Sequence, residues 1–218
     1  MFKKLFGKND KEFEFTTQSP TTKTCPYCGV KLAKIPKRKK KCPNCENYIF
    51  VSKGKLYTKE EKDIRDWLIR VEHLGISRKV FNKAREELSS QFGFIASIND
   101  TAWRILNSIN TPNKSYEDRK QIYLAMSYIL SLEDKSTKEI MAKAHQMDLL
   151  RFKDEGFTKV RIHTYGGQYD DSVCDECKRL SKMVFDIDKA LDTMPIPNRC
   201  ENKDCRCSYF VDLDDYLD

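Results

Sequence analysis

A chain of 218 residues, 33% of them charged and 39% hydrophobic, is long enough for two or three small domains and lean for one enzyme-sized core. No run of eighteen apolar residues occurs, which excludes a membrane-spanning helix. The Met1-Phe-Lys-Lys-Leu-Phe-Gly-Lys8 start also lacks the apolar stretch and cleavage site of a secretory signal, so an intracellular protein is expected. The net charge of +7 is concentrated, because positions 21–55 hold ten Lys and Arg against Glu46 alone, while Asp212, Asp214, Asp215 and Asp218 crowd the last seven residues. That asymmetry points to a polyanionic or acidic partner for the N-terminal part.

Positions 1–21 read as a flexible leader, polar apart from Phe2, Phe6, Phe13 and Phe15. Cys25-Pro-Tyr-Cys28-Gly29 follows, then Cys42-Pro-Asn-Cys45, giving C-x2-C-x13-C-x2-C. Each C-x2-C turn offers two thiolates to one side, and four together complete tetrahedral Zn²⁺ coordination. The pattern resembles the zinc-ribbon family, which implies a small β ribbon over 22–57 with Cys25, Cys28, Cys42 and Cys45 as ligands and Tyr48-Ile-Phe-Val51 among its strands. A shell of four sulfurs leaves no open position for substrate, so the role expected is structural. Cys-Pro-Tyr-Cys is also similar to the glutaredoxin active-site motif. That chemistry requires a strand and then a helix N-terminus, and here a second dithiol follows instead.

Lys37-Arg-Lys-Lys-Lys41 lies between the cysteine pairs, with Lys34 close by. Lys34, Lys37, Arg38, Lys39, Lys40 and Lys41 are the candidate nucleic-acid contacts, binding phosphate without reading sequence. Aromatic residues able to stack on bases are Tyr27, Tyr48, Phe50 and Tyr57. A solvated, solubilising loop is the equally weighted alternative.

Positions 58–155 read as a helical domain. Thr58 and Glu61 form a capping box before Ile64, Trp67, Leu68, Val71 and Leu74, and Gly75 ends that helix. A second helix starts near Ser77 with Val80, Phe81, Ala84 and Leu88, and a third near Asn99 or Asp100 with Ala102, Trp103, Leu106 and Ile109. A fourth follows Ser115 through Ile122, Tyr123, Met126, Ile129 and Leu130. A fifth opens on a Ser136/Glu139 capping box and carries Ile140, Ala144, Met147 and Leu150.

Positions 158–165 alternate apolar and polar, which predicts a strand closed by Gly166-Gly167. Cys174-Asp-Glu-Cys177 follows, and Cys200-Glu-Asn-Lys-Asp-Cys205-Arg-Cys207 comes after twenty-two further residues. Cys174, Cys177 and Cys200 are candidate ligands of a second zinc, with either Cys205 or Cys207 as the fourth. In a reducing compartment nine cysteines, eight of them in close groups, suit chelation better than disulfides.

Gly156-Phe-Thr-Lys-Val160 leading into the strand, Asp171, Cys174, Cys177, Val184-Phe185, Pro195-Ile-Pro-Asn198 and Cys205-Arg-Cys207 together resemble the C-terminal part of phage Mu-type head morphogenesis (minor capsid) proteins. The likeness covers about 70 residues, near a third of the chain, and implies a metal knuckle over 156–218. That family places a His before the closing Cys-Arg-Cys; here Cys200 stands as the substitute ligand.

Gly166-Gly167-Gln168 matches a release-factor tripeptide but is explained by a turn. His73 and His145 are expected at helix surfaces or boundaries, and His163 on the strand face opposite Ile162. No Ser/His/Asp order or phosphate loop appears. The expectation is an α+β protein: β zinc ribbon, central helical domain, and C-terminal strand-plus-zinc-knuckle unit. It would be non-enzymatic, with two Zn²⁺ per chain, the ribbon binding nucleic acid and the rest a protein partner. The alternatives are a phage- or mobile-element-derived morphogenesis factor acting through protein contacts only, with a phage- or virion-associated location, and a metal-dependent nuclease.

Overall fold

A computed structural model describes residues 23–164, 173–203 and 205–212. It is an α+β structure with two three-stranded sheets and a set of helices. The chain divides into two compact units, Met1–Arg65 and Asp66–Asp218.

In the first unit β1 (Lys40–Lys41), β2 (Tyr48–Ser52) and β3 (Lys55–Tyr57) form an antiparallel sheet in the order β1-β2-β3. Lys53 and Gly54 both take positive φ, 48° and 74°, as a two-residue hairpin turn between twisted strands requires. The two cysteine turns are built alike. Gly29 N–H donates to the Cys25 carbonyl at 2.9 Å and Glu46 N–H to the Cys42 carbonyl at 3.1 Å. Cys25 N–H reaches Val30 O, and Cys42 N–H reaches Asn47 O, both at 2.9 Å. Among the described residues the ribbon's buried cluster is Cys25, Leu32, Cys42 and Ile49, lined by Val30, Cys45 and Leu56. So few apolar groups cannot offset the entropy of ordering the segment, which leaves sulfur ligation to hold it.

Helix α1 (Lys59–Arg70) starts in this unit on the expected capping box: Thr58 N–H donates to Glu61 Oε2 at 2.9 Å, and Glu61 N–H to Thr58 Oγ1 at 3.1 Å. It stops at Arg70 rather than at Gly75; a 3₁₀ turn, Glu72–Leu74, intervenes and Gly75 caps it in the left-handed conformation.

The second unit continues with α2 (Arg78–Phe92), α3 (Ile98–Ile109), α4 (Tyr116–Leu132) and α5 (Lys138–Asp154). Ser77, Ser97 and Ser115 cap α2, α3 and α4 through their hydroxyls. Trp67 packs on Phe81 with ring centroids 5.3 Å apart. Three expectations fail in detail. Val80 is exposed, whereas Phe81 and Leu88 are the residues α2 buries. The Ser136/Glu139 box does not form, since Thr137 is already helical and α5 begins without a side-chain cap. His145 is buried rather than superficial, because α5 packs on α4 and also on the C-terminal elements.

Those elements are β4 (Lys159–His163), α6 (Asp175–Leu180), β5 (Val184–Asp186), α7 (Ile187–Thr193), the Pro195–Asn198 turn and β6 (Ser208–Val211). The sheet is antiparallel in the order β5-β4-β6. Val160 and Ile162 of β4 point into the core while Lys159 and His163 are exposed. Leu149 and Phe152 of α5, Phe185, Ile187, Tyr209 and four cysteines share that core. Asp212, from the acidic end of the chain, is buried against Arg161, with Nε and Oδ1 3.0 Å apart. Gly166 and Gly167 lie outside the described residues.

Candidate metal centres and a basic sheet face

All nine cysteines are unpaired thiols, and every one belongs to a group whose Sγ atoms lie within 4.8 Å of one another. The first group is Cys25, Cys28, Cys42 and Cys45. Across it, Cys25 Sγ is 3.8 Å from Cys45 Sγ and Cys28 Sγ is 3.8 Å from Cys42 Sγ. Four sulfurs about 2.3 Å from a central cation would be about 3.8 Å apart along each edge of the tetrahedron, so the spacing is the one metal binding needs. Backbone and amide donors surround the set: Asn44 N–H points at Cys42 Sγ (3.4 Å) and Asn44 Nδ2 at Cys28 Sγ (3.6 Å). The Val30 N–H and then the Asn44 amide draw Cys28 down to about 6, and the Cys45 N–H lowers Cys42. Burial pushes Cys25 up to about 11. The surroundings thus favour the thiolate at Cys28 and Cys42 and oppose it at Cys25, an opposition that a bound cation would reverse.

The second cluster is two triads, Cys174/Cys177/Cys200 and Cys177/Cys205/Cys207, joined at Cys177. Cys174 caps α6, its Sγ accepting the Cys177 N–H at 3.5 Å, and so the C-x2-C pair straddles the helix start. Cys200 follows the Pro195–Asn198 turn, its N–H held by Pro197 O at 3.0 Å, and its Sγ lies 3.8 Å from Cys174 Sγ. Thr137 Oγ1 donates to Lys203 O at 3.2 Å and Lys138 Nζ to Cys200 O at 2.5 Å, fastening this loop to the start of α5. Cys205 and Cys207 lead into β6. Thiol donors Cys177 and Cys207 pull Cys205 down to about 2, hydrogen bonds with Cys205 and Cys207 and then burial force Cys177 upward, and burial lifts Cys200 to about 12. Five sulfurs so close cannot all lose their protons without a counter-charge, which a bound cation would supply. An S4 donor set of either kind suits Zn²⁺ or an iron centre.

His145 belongs to neither group. Its ring meets Tyr209 edge-on at 5.6 Å, and its Nε2 is buried with no hydrogen-bond partner among the described residues. His73 and His163 are exposed. Among the described residues, every group of three or more potential metal donors is made of cysteine, with no converging carboxylates, and no helix is long and apolar enough to cross a membrane.

Lys34, Lys37, Arg38, Lys39, Lys40 and Lys41 are all exposed, the last two forming β1. Lys39 Nζ sits 4.4 Å from the Tyr48 ring centroid and 5.1 Å from that of Phe50, and Lys41 Nζ is 5.5 Å from Tyr48. Two cations that sequence reasoning missed, Lys62 and Arg65 of α1, lie 5.9 Å from Phe50 and 5.2 Å from Tyr57. They looked like ordinary solvent-face residues of a helix, and only the fold brings them to the ribbon. Tyr27 is otherwise engaged, its hydroxyl accepting the Lys59 N–H at 2.7 Å. Comparison with protein-family models, curated proteins and solved structures finds no match to this chain.

Proposed function

We propose that this chain is a non-enzymatic zinc protein with two structural Zn²⁺ sites, whose ribbon binds nucleic acid without reading its sequence and whose remainder binds protein. The observation that carries the reading is the solvent-facing run Lys37–Lys41, which enters the sheet at β1 and leads straight into Cys42 of the Cys25/Cys28/Cys42/Cys45 cluster. Clustered cations on a fixed support displace condensed counterions from a phosphate backbone, and that release drives sequence-independent affinity. Zinc is the proposed metal because an all-thiolate shell without an open position suits a redox-inert structural ion. Nine unpaired thiols accord with an intracellular, reducing setting. For the protein contact, the support is Phe92, Phe94 and Ile95, large apolar side chains exposed together at the end of α2 and beyond it.

The test is a titration of random-sequence DNA and RNA at two salt concentrations. Steeply salt-dependent binding, lost on changing Lys37, Arg38, Lys39, Lys40 and Lys41 to Glu, supports the reading, and absence of binding at low salt overturns it.

A second reading rests on the C-terminal module. Phe185, Ile196 and the cysteines of the knuckle gather in one core, the local arrangement that the resemblance to phage head morphogenesis proteins leads one to expect. There both metal modules would organise protein contacts in a phage-derived assembly, and no nucleic acid would bind.

A further inference from the structure

β2 sorts its side chains by strand alternation. Ile49 turns inward to the cysteine core and is 1% exposed, so Tyr48 and Phe50 turn the other way. Register adds two more residues to the outer face, because Lys41 pairs with Tyr48 across β1 and Tyr57 pairs with Phe50 across β3. Three aromatic rings therefore share one side of the sheet. Each has a cation near it: Lys39 and Lys41 at Tyr48, Lys39 and Lys62 at Phe50, Arg65 at Tyr57. Tyr48 keeps 47% of its surface open.

A surface made only to attract phosphate needs the cations and not the rings. Rings set side by side, with Tyr48 and Phe50 about 7 Å apart along the strand, suit bases that have been splayed apart. A duplex hides its base faces in its own stack and can present only its backbone and groove edges. A single strand offers π-faces to the rings and phosphates to the flanking Lys and Arg, whose long stems can move from ring to phosphate when a base arrives.

We infer that the outer face of the ribbon sheet, through Tyr48, Phe50 and Tyr57 flanked by Lys39, Lys41, Lys62 and Arg65, is a stacking platform for single-stranded nucleic acid. The inference rests on the nucleic-acid reading above and narrows it to strands whose bases are unpaired.

The experiment uses the full zinc-loaded chain and fluorescence anisotropy with a labelled mixed-sequence oligonucleotide, about 16 nucleotides long, as single strand and as duplex. The single strand is expected to bind more tightly than the duplex. Tyr48→Ala should weaken single-strand binding by about 5- to 150-fold, the effect of losing one base-stacking ring, and leave duplex binding unchanged; Tyr48→Phe should keep the wild-type affinity. Zinc content by native mass spectrometry, equal in all variants, shows that the ribbon remains folded.

Equal affinity for the two forms, or equal losses on both with Tyr48→Ala, overturns the stacking inference while leaving the nucleic-acid reading standing. Polyglutamate that competes as well as the oligonucleotide also overturns it. Failure to bind either form at low salt removes both.

Discussion

Gly29 and Glu46 occupy equivalent places in the two cysteine turns: each has positive φ, 71° and 56°, and each donates its N–H to the carbonyl of the first cysteine of its pair. The conformation costs glycine nothing, but it crowds the Cβ of any other residue by about 1–2 kcal/mol. A Cβ added at Gly29 meets no atom within 4 Å, so Gly29→Ala would carry the backbone penalty alone, about 1 kcal/mol. Glu46→Gly should do the reverse. Allowing for the greater freedom of glycine in the unfolded chain, the gain expected is about 0.5–1 kcal/mol. Metal binding and folding are coupled in so small a unit, so both changes should appear as zinc affinity in a competition with a chromophoric chelator. Tighter binding by about 2- to 5-fold for Glu46→Gly and weaker binding for Gly29→Ala is the expected pattern; no difference between the two variants would contradict it.

The two units should respond differently to loss of metal. The first has a cluster of Cys25, Leu32, Cys42 and Ile49, two of them sulfur donors, whereas the helices of the second bury Phe81, Leu106 and Ile122, none of which belongs to a cysteine-containing cluster. Structural zinc contributes about 10–16 kcal/mol of apparent binding energy near neutral pH, far beyond what the ribbon's apolar burial can replace. Adding a strong chelator should therefore abolish amide-exchange protection in β2 and β3 while α3, α4 and the first turns of α5 keep theirs. Persistent protection at Ile49 and Phe50 without metal would show that the sheet stands by itself.

What the sequence made legible was what is encoded locally. A C-x2-C turn, the Thr58/Glu61 box and the Ser115 cap each lie within four residues, and each forms as read. Val184–Asp186, Ser208–Val211 and Asp175–Leu180 are too short for a period to register, and tertiary pairing makes them strand or helix. Burial of His145 was hidden for another reason. The buried positions of α5 include Ile140, Ala144, His145, Met147, Asp148, Leu149 and Phe152, more than one face of the helix. A helix covered on two sides loses the single apolar stripe on which such reading depends. The cations over Phe50 and Tyr57 were illegible because Lys62 and Arg65 belong to a different element from the rings.

Asp148 is 3% exposed on α5 and is met by Lys120 Nζ of α4 at 2.8 Å, with Arg151 Nη2 at 3.9 Å. Burial raises the carboxyl pKa and Lys120 opposes the shift, so the pair is a compensated desolvation rather than a large gain. Removing one partner leaves a charge uncompensated. Lys120→Met should cost about 3 kcal/mol, the lower end for a buried pair, because the Lys120 side chain is itself 26% exposed. Lys120→Met combined with Asp148→Leu should recover most of that loss. Urea unfolding of the three proteins tests this, and a double variant no more stable than the single one would refute it.

Cys205 and Cys207 compete for one place in the second cluster. Both lie within 4.8 Å of Cys177 and of each other, and neither is grouped at that distance with Cys174 or Cys200. A fourth ligand must be a thiolate: hydrogen bonds with Cys177 and Cys207 draw Cys205 down to about 2, whereas Cys207, though Cys177 lowers it, is pushed up to about 12 by Cys205 and burial, so Cys205 is the readier donor. Cys205→Ser should therefore reduce the zinc content by one ion, as Cys200→Ser does. Cys207→Ser should keep two ions per chain, with a destabilisation of about 1 kcal/mol or less from exchanging a buried thiol for a hydroxyl. Native mass spectrometry reads the stoichiometry directly: retention in Cys205→Ser together with loss in Cys207→Ser would assign the ligand the other way. Loss in both would mean that Cys177 bridges a larger cluster in which all five thiolates take part.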